Sequence, residues 1–210
     1  ESVLREAEAL AENGVKEIIL TAQDTASYGS DLAYAGGLSG LLIRLTEIPG
    51  LEWIRMLYLH PESLAQDNRL IEIIAEEEKI CSYLDVPLQH IADPVLKRMG
   101  RRQRRQDLEE LLLRLRNTIP DAVLRTTFIT GFPGETRKHF EELLEFVTEM
   151  RIERAGVFEY SPEEGTAAFG FTPTVPRKTA LGRKEELMLR QQEISLERNQ
   201  RFIGNTMDVL

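Results

Sequence analysis

Cysteine is nearly absent from this sequence. One thiol, Cys81, in 210 residues excludes an internal disulfide and any multi-cysteine metal centre built by this chain alone. The same scarcity points to a reducing, cytoplasmic compartment. Long apolar runs are missing as well. None approaches the ~20 residues of a membrane helix, and no secretory signal pattern opens the chain. Positive charge is in the minority: 26 Lys and Arg against 35 Asp and Glu give a net charge of -9. That balance excludes nonspecific nucleic-acid binding by the whole surface. No Gly-Lys-Ser/Thr follows a glycine loop, so no phosphate-cradling Walker loop is encoded. The 3 histidines, His60, His90 and His139, include no pair at metal-ligand spacing. Neither a Ser-His-Asp nor a Cys-His order stands out, so no catalytic side chain and no metal ligand is assigned.

What is present is alternation. Val3, Leu4, Ala7, Leu10 and Ala11 recur at helical spacing, and Gly14 follows as a breaker. Strand-like runs cover 16–22, 51–59, 81–88, 122–130 and 154–161, and helical patterns cover 38–48, 68–78, 105–119, 138–150 and about 178–202. "QDTASYGSDLAYAGG" (23–37) reads as a long polar loop. Strands alternating with helices imply right-handed βαβ units and a parallel sheet. The first helix has no strand before it, and the closing "NTMDVL" reads as a strand just starting. Both ends therefore read as cut from a longer protein. A restored first strand makes six strands and six helices, as a partial barrel or an open doubly wound sheet.

In both architectures function gathers at the carboxyl ends of the strands. The loops there carry most of the Gly, Pro, His and Gln-Asp character. "TTFITGFPGET" (126–136) holds Gly131 and Gly134, which let backbone approach a ligand or adopt positive φ. Glu135 and Thr136 open the next helix, whose free N–H groups suit a polar ligand, although a capped β-to-α turn reads equally well. Gln23 and Asp24 offer an amide and a carboxylate at one strand end, or an ordinary Asx turn. Gln89 and His90 hold the equivalent place after another, and His60 opens "HPES". Glu163 and Glu164 pair two carboxylates in "SPEEGT", fit for acid/base work but also for a solvated loop. "KRMGRRQRR" (97–105) is a basic run in an acidic chain. It reads as an RNA- or ribosome-facing patch or, more simply, as a solvated helix face.

Taken in order, "TAQDTASYG", "YLHPESL", "DVPLQHIADPVLKRMGR", "TTFITGFPGET" and "FEYSPEEGTAAF" resemble the motifs of the radical S-adenosylmethionine methylthiotransferases over nearly the whole chain. That family modifies either a tRNA adenosine or a ribosomal protein. "QDT" stands where the tRNA branch typically reads Gln-Asn, and "PLQH" where it reads Pro-Val-Gln-Ser-Gly. Thr127 takes a position typically Asp in that branch, and Glu164 one more often basic or Pro. The sequence is thus more similar to the ribosomal branch.

The resemblance implies a partial (β/α)6 TIM-like radical SAM barrel of parallel strands, lacking its first strand. The core would span 1–176, a C-terminal helix 177–202, and the start of a truncated TRAM domain 203–210. It implies S-adenosyl-L-methionine as cofactor and two four-iron, four-sulfur clusters in the full-length protein, both liganded outside this segment. The family's Cys-x-x-x-Cys-x-x-Cys loop is absent here, so the segment alone is expected to be inactive. By motif position, Gln23, Asp24, Gln89, Thr127, Ile129, Gly131, Gly134, Glu135, Phe158 and Tyr160 would bind the cofactor. Ile129 would face the adenine, and backbone from Phe158 to Ser161 would edge it. His60, His90, Glu163 and Glu164 would lie on the substrate side. The implied reaction methylthiolates the β-carbon of an aspartate in protein twelve of the small ribosomal subunit. The expected partners are that protein and ribosome-associated factors, with tRNA as the alternative and no membrane. Outside this family the sequence leaves open a lyase or aldolase barrel, which would want a lysine at a strand end, and a noncatalytic ribosome-binding module.

Overall fold

A computed structural model describes residues 1–31, 36–207 and 209. Residues 32–35 of the expected polar loop lie outside the described residues, as do Asp208 and Leu210 of the segment read as a starting strand. Among the described residues that segment forms no strand. The chain divides into two compact units.

The first unit comprises Glu1–Val86, Leu111–Val123 and Met207–Leu210. Helix α1 (Ser2–Glu12) buries Leu4, Ala7 and Ala11, the stripe that its periodicity predicts. Gly14, at φ 87°, turns the chain out of it. Strand β1 (Glu17–Leu20) pairs in parallel with β2 (Trp53–Met56), Glu17 opposite Trp53 and Leu20 opposite Met56. Strand β2 pairs in parallel with β3 (Ile80–Asp85), with a register irregularity between Ile54 and Met56. On β2, Ile54 and Met56 are buried while Trp53 and Arg55 are half-buried. Helices α2 (Gly37–Thr46) and α4 (Asn68–Glu76) supply Leu38, Leu41, Leu42, Leu45, Leu70, Ile71, Ile73 and Ile74 to the core, and they pack against each other. Two short elements were not visible as periodic patterns. One is a 3-10 turn at Thr25–Ser27, inside the polar loop. The other is α3 (Pro61–Gln66), which begins with Pro at its first position behind an N-capping His60.

The second unit comprises Pro87–Glu110 and Leu124–Thr206. It holds α5 (Asp93–Arg98), also too short for its period to register, and the opening turns of α6 (Arg105–Thr118). Strand β4 (Val123–Thr130) buries every second residue: Leu124, Thr126, Phe128 and Thr130. This is the period-2 signature of a strand with one packed and one open face. Helix α7 (Arg137–Met150) is followed by β5 (Arg154–Glu159), parallel to β4 from Arg125–Arg154 to Thr130–Glu159. A 3-10 turn (Ala167–Gly170) leads to α8 (Arg177–Gln200), which packs on β5 and α7. Phe128, Phe140 and Phe146 have no exposed surface, and each contributes about 2–3 kcal/mol of burial.

Helix α8 is fixed to β5 by polar contacts as well as apolar ones. Gln191 donates to Ile152 O at 2.9 Å and Ser195 to Glu153 O at 2.7 Å. The buried Glu153 carboxylate accepts from Leu124 N at 3.0 Å and pairs with Arg198 at 3.1 Å.

Candidate cofactor face at the strand ends

The register of β4 and β5 decides which side chains share a face. Thr127 lies opposite Gly156, and Ile129 opposite Phe158. These residues occupy the open face, away from Phe128 and Val157, which are buried. Phe158 is 59% exposed, an unusual condition for an aromatic ring near a strand end. Gly156 adds no side chain, and a Cβ there would already touch the Phe158 ring at 3.6 Å. Ile129, Gly156 and Phe158 thus form a flat apolar shelf. Its border is Gln89, which bridges to Phe128 in parallel. Gln89 N donates to Thr127 O and Gln89 O accepts from Ile129 N, each at 2.8 Å. Gln89 sits at φ 70°, a left-handed conformation that costs a non-glycine residue about 1 kcal/mol or more. The ladder bonds on both sides hold it there.

Behind the shelf the Gly131–Glu135 loop is clamped from within. Glu135 is 4% exposed. One of its carboxylate oxygens accepts a short bond from Gly131 N, and the other lies 3.3 Å from Arg183 Nη1. The same guanidinium donates to Glu135 O at 3.2 Å. Glu135 therefore fixes the turn, and Arg183, a residue of α8 for which the sequence gives no signal, holds it. Both glycines adopt positive φ, 79° at Gly131 and 88° at Gly134, one of the two roles their sequence allowed. A Cβ at Gly131 would overlap the Cβ of Ala180 and lie 3.2 Å from its Cα. A Cβ at Gly134 would lie 2.9 Å from Arg98 Nε. The room expected to admit a ligand is occupied by the chain's own α8 and by Arg98, which also donates to Pro133 O and Thr172 O. The N-terminus of α7 is capped. Thr136 and His139 form a reciprocal capping box that takes up the N–H groups of Thr136 and His139.

Other predicted residues fall elsewhere. Tyr160 packs edge-on against Phe132 at 5.0 Å, in an apolar cluster with Ala92 and Val95, rather than on the shelf. His90 has no exposed surface and its ring faces Glu135. Glu163 and Glu164 are exposed. Glu159, paired with Arg177 at 3.1 Å, lines a cavity of about 550 Å³ with Gly131, Tyr160 and Ala180. In the first unit, Gln23 is exposed, while Asp24 accepts from His60 N at 3.2 Å and Ser63 Oγ at 2.5 Å. Asp24 thus ties its loop to the start of α3, where His60 Nδ1 accepts from Glu62 N. Tyr58, at φ 58°, and the buried Asp85, which accepts from its backbone N–H at 3.2 Å, complete that strand end. Neither was singled out in the sequence, because left-handed backbone at a non-glycine leaves no residue-type signature.

The family model of the Radical SAM superfamily matches residues 1–147. The chain belongs to the radical SAM superfamily. The ribosomal protein uS12 methylthiotransferase RimO of Thermoanaerobacter sp. (strain X514) is 49% identical over 210 residues, covering 100% of this chain and 48% of that protein. The protein of the same description from Thermotoga maritima is 47% identical over the same span, 48% of its length. The chain spans about half the length of the curated relatives it matches. Among solved structures, the radical S-adenosylmethionine methyltransferase TsrM of Kitasatospora setae, with cobalamin and a [4Fe-4S] cluster bound, aligns with TM-score 0.56 at 19% identity. That alignment covers 75% of this chain and 30% of TsrM. Elp3 of Methanocaldococcus infernus aligns with TM-score 0.53 at 11% identity, over 91% of this chain and 48% of Elp3. These likenesses show the fold: α/β, with parallel strands in the manner of radical SAM barrels.

A radical SAM chain takes S-adenosylmethionine and a four-iron, four-sulfur cluster as cofactors. The two fit the residues present differently. The shelf of Ile129, Gly156 and Phe158 suits a planar base, because its aromatic ring is exposed and its floor carries no side chain. A cluster does not fit. Among the described residues no group of three His, Cys, Asp or Glu could hold a metal, and burial pushes the half-buried Cys81 thiol above its ordinary pKa, away from the thiolate a cluster needs. Part of the basic run is engaged within the second unit. Arg98 is spent on Pro133 and Thr172, and Arg105 pairs with Glu109 at 2.7 Å and with Glu145 and Glu149. Arg101 and Arg102 have partners too.

Proposed function

We propose that the chain is the core of a radical SAM methylthiotransferase acting on the β-carbon of an aspartate in protein twelve of the small ribosomal subunit. One observation carries the reading: identity of 45–49% to uS12 methylthiotransferases runs along the whole chain. S-adenosylmethionine and the clusters of the longer protein would supply the radical and methylthio chemistry. The residues of this chain bind and orient. Ile129 and Phe158 stack on the adenine, Gly156 lets the base lie close, and Thr127 and Gln89 border it. Gly131, Gly134 and Glu135 act behind the face, keeping the strand end in place. Glu163 and Glu164, exposed in the same unit, face the substrate.

A tRNA substrate is the alternative reading, and the branch-like positions at Asp24, His90, Thr127 and Glu164 favour the ribosomal one. The test uses the longer protein with its clusters reconstituted, reductant, sulfide and S-adenosylmethionine. The ribosomal protein and an adenosine-modified tRNA are offered together and both are analysed by mass spectrometry. A methylthio mass gain on an aspartyl peptide is the expected result. Gain on the tRNA nucleoside instead would move the chain to the other branch of the family.

A further inference from the structure

Two buried polar atoms face each other behind the shelf without bonding. His90 Nε2 and Glu135 Oε1 have no hydrogen-bond partner among the described residues, and they lie 3.9 Å apart with both side chains at 0% exposure. Glu135 Oε1 keeps its ion pair with Arg183 at 3.3 Å, whereas native interiors rarely leave a group such as His90 Nε2 without a hydrogen bond. The tautomer of His90 follows from its other nitrogen. Ala92 N donates to Nδ1 at 3.0 Å, so in the neutral ring the proton resides on Nε2. That N–H has one acceptor in front of it, Glu135 Oε1. The gap exceeds a hydrogen bond by about 1 Å.

The chain positions at either end of this gap both touch the shelf. His90 follows Gln89, whose backbone bonds to Thr127 and Ile129. Glu135 holds Gly131, one residue beyond the end of β4. We infer that His90 is a positioning residue: its Nε2–H is reserved for Glu135 Oε1, and the contact closes when a base occupies the Ile129–Phe158 shelf, locking Gln89 and the Gly131–Glu135 loop together. Arg183, 3.3 Å from the same oxygen, also faces the pair and holds the Glu135 carboxylate in its orientation. The inference rests on the cofactor-face reading for the identity of what fills the shelf.

The experiment uses the longer, cluster-loaded protein and S-adenosylhomocysteine as an uncleavable probe. Amide hydrogen exchange is followed at Gly131, Gln89 and Phe158 in wild type, H90N and H90Q. An Asn amide oxygen can replace Nδ1 toward Ala92 N but offers no donor at the Nε2 position; a Gln amide nitrogen can reach that position. In wild type the probe is expected to slow exchange at Gly131 about tenfold, the effect of one buried hydrogen bond. In H90N that slowing is lost and KM for S-adenosylmethionine rises about tenfold, with kcat little changed; H90Q retains both. Protection of Phe158 without added protection of Gly131 in wild type would overturn the inference and leave the cofactor face standing. H90N matching wild type at Gly131, or H90Q losing what H90N keeps, would reduce His90 to its turn with Ala92 and overturn it as well. A probe that protects neither Phe158 nor Gln89 would refute the cofactor face itself, and the inference with it.

Discussion

Phe158 is the residue on which the cofactor face can be tested with little risk to the fold. Its ring is 59% exposed, so Phe158→Ala forfeits little buried area and should change stability by less than about 0.5 kcal/mol. In the cluster-loaded longer protein the same change should weaken S-adenosylmethionine binding about tenfold, the worth of a lost stacking contact. Equilibrium binding beside a thermal melt separates the two effects; a large loss of stability with intact binding would assign the ring to packing. Gly131 makes the opposite case. It combines φ 79° with backbone and side-chain atoms of Ala180 where a Cβ would stand. Gly131→Ala should destabilise the chain by about 2–4 kcal/mol. Ala180→Gly in the same molecule should recover part of that loss, since it removes the overlap and not the strained φ. Denaturant midpoints of the two single variants and the double one measure the coupling.

At the scale of elements, α8 is legible as a helix but its attachment is not. Its leucines do not form a single apolar stripe; Leu189 and Leu196 are exposed at 63% and 65%. Its buried positions include Arg183 and Gln191, which a hydrophobic pattern assigns to solvent. They are buried because carbonyls at the end of the Gly131–Glu135 loop and at Ile152 and Glu153 need donors. Glu153 is the centre of the second attachment. Glu153→Ala would leave Leu124 N without its acceptor and Arg198 without its carboxylate, a loss of about 2–4 kcal/mol. Urea unfolding should show the midpoint falling, and hydrogen exchange should rise first along α8; unchanged exchange there would detach Glu153 from the helix. Helices α3 and α5 escaped the sequence reading for a different reason. Each has 6 residues, under two turns, too few for a 3.6-residue period to stand out from a loop.

At the scale of the whole molecule, one cysteine decides what the chain can carry. After anaerobic treatment with iron and sulfide, the 210-residue chain should show no stoichiometric iron and no cluster absorbance, while the longer protein acquires both. Retention of about four irons by the chain alone would require ligands that neither the sequence nor the described residues supply. The same experiment locates the limit of the site. The shelf that would receive the base is in the second unit, and the metal that would hold the other end of the cofactor is not provided by either unit.

The sequence by itself determined the alternation of strands and helices, the side of each strand where loops carry polar and glycine-rich character, and the family those loops resemble. These follow from periodicity and from local turn chemistry, which act between residues close in the chain. The tertiary structure alone decided which contacts each loop residue makes. Gly131 and Gly134 read as ligand approaches or positive-φ positions; both take positive φ, and where a Cβ would stand they meet Ala180 and Arg98, 49 residues later and 36 residues earlier in turn. His90 reads as substrate-facing in the sequence, and the structure buries its ring opposite Glu135, 45 residues away. Burial, register and the pairing of buried charge depend on segments distant in the chain, and no local pattern encodes which of them will arrive.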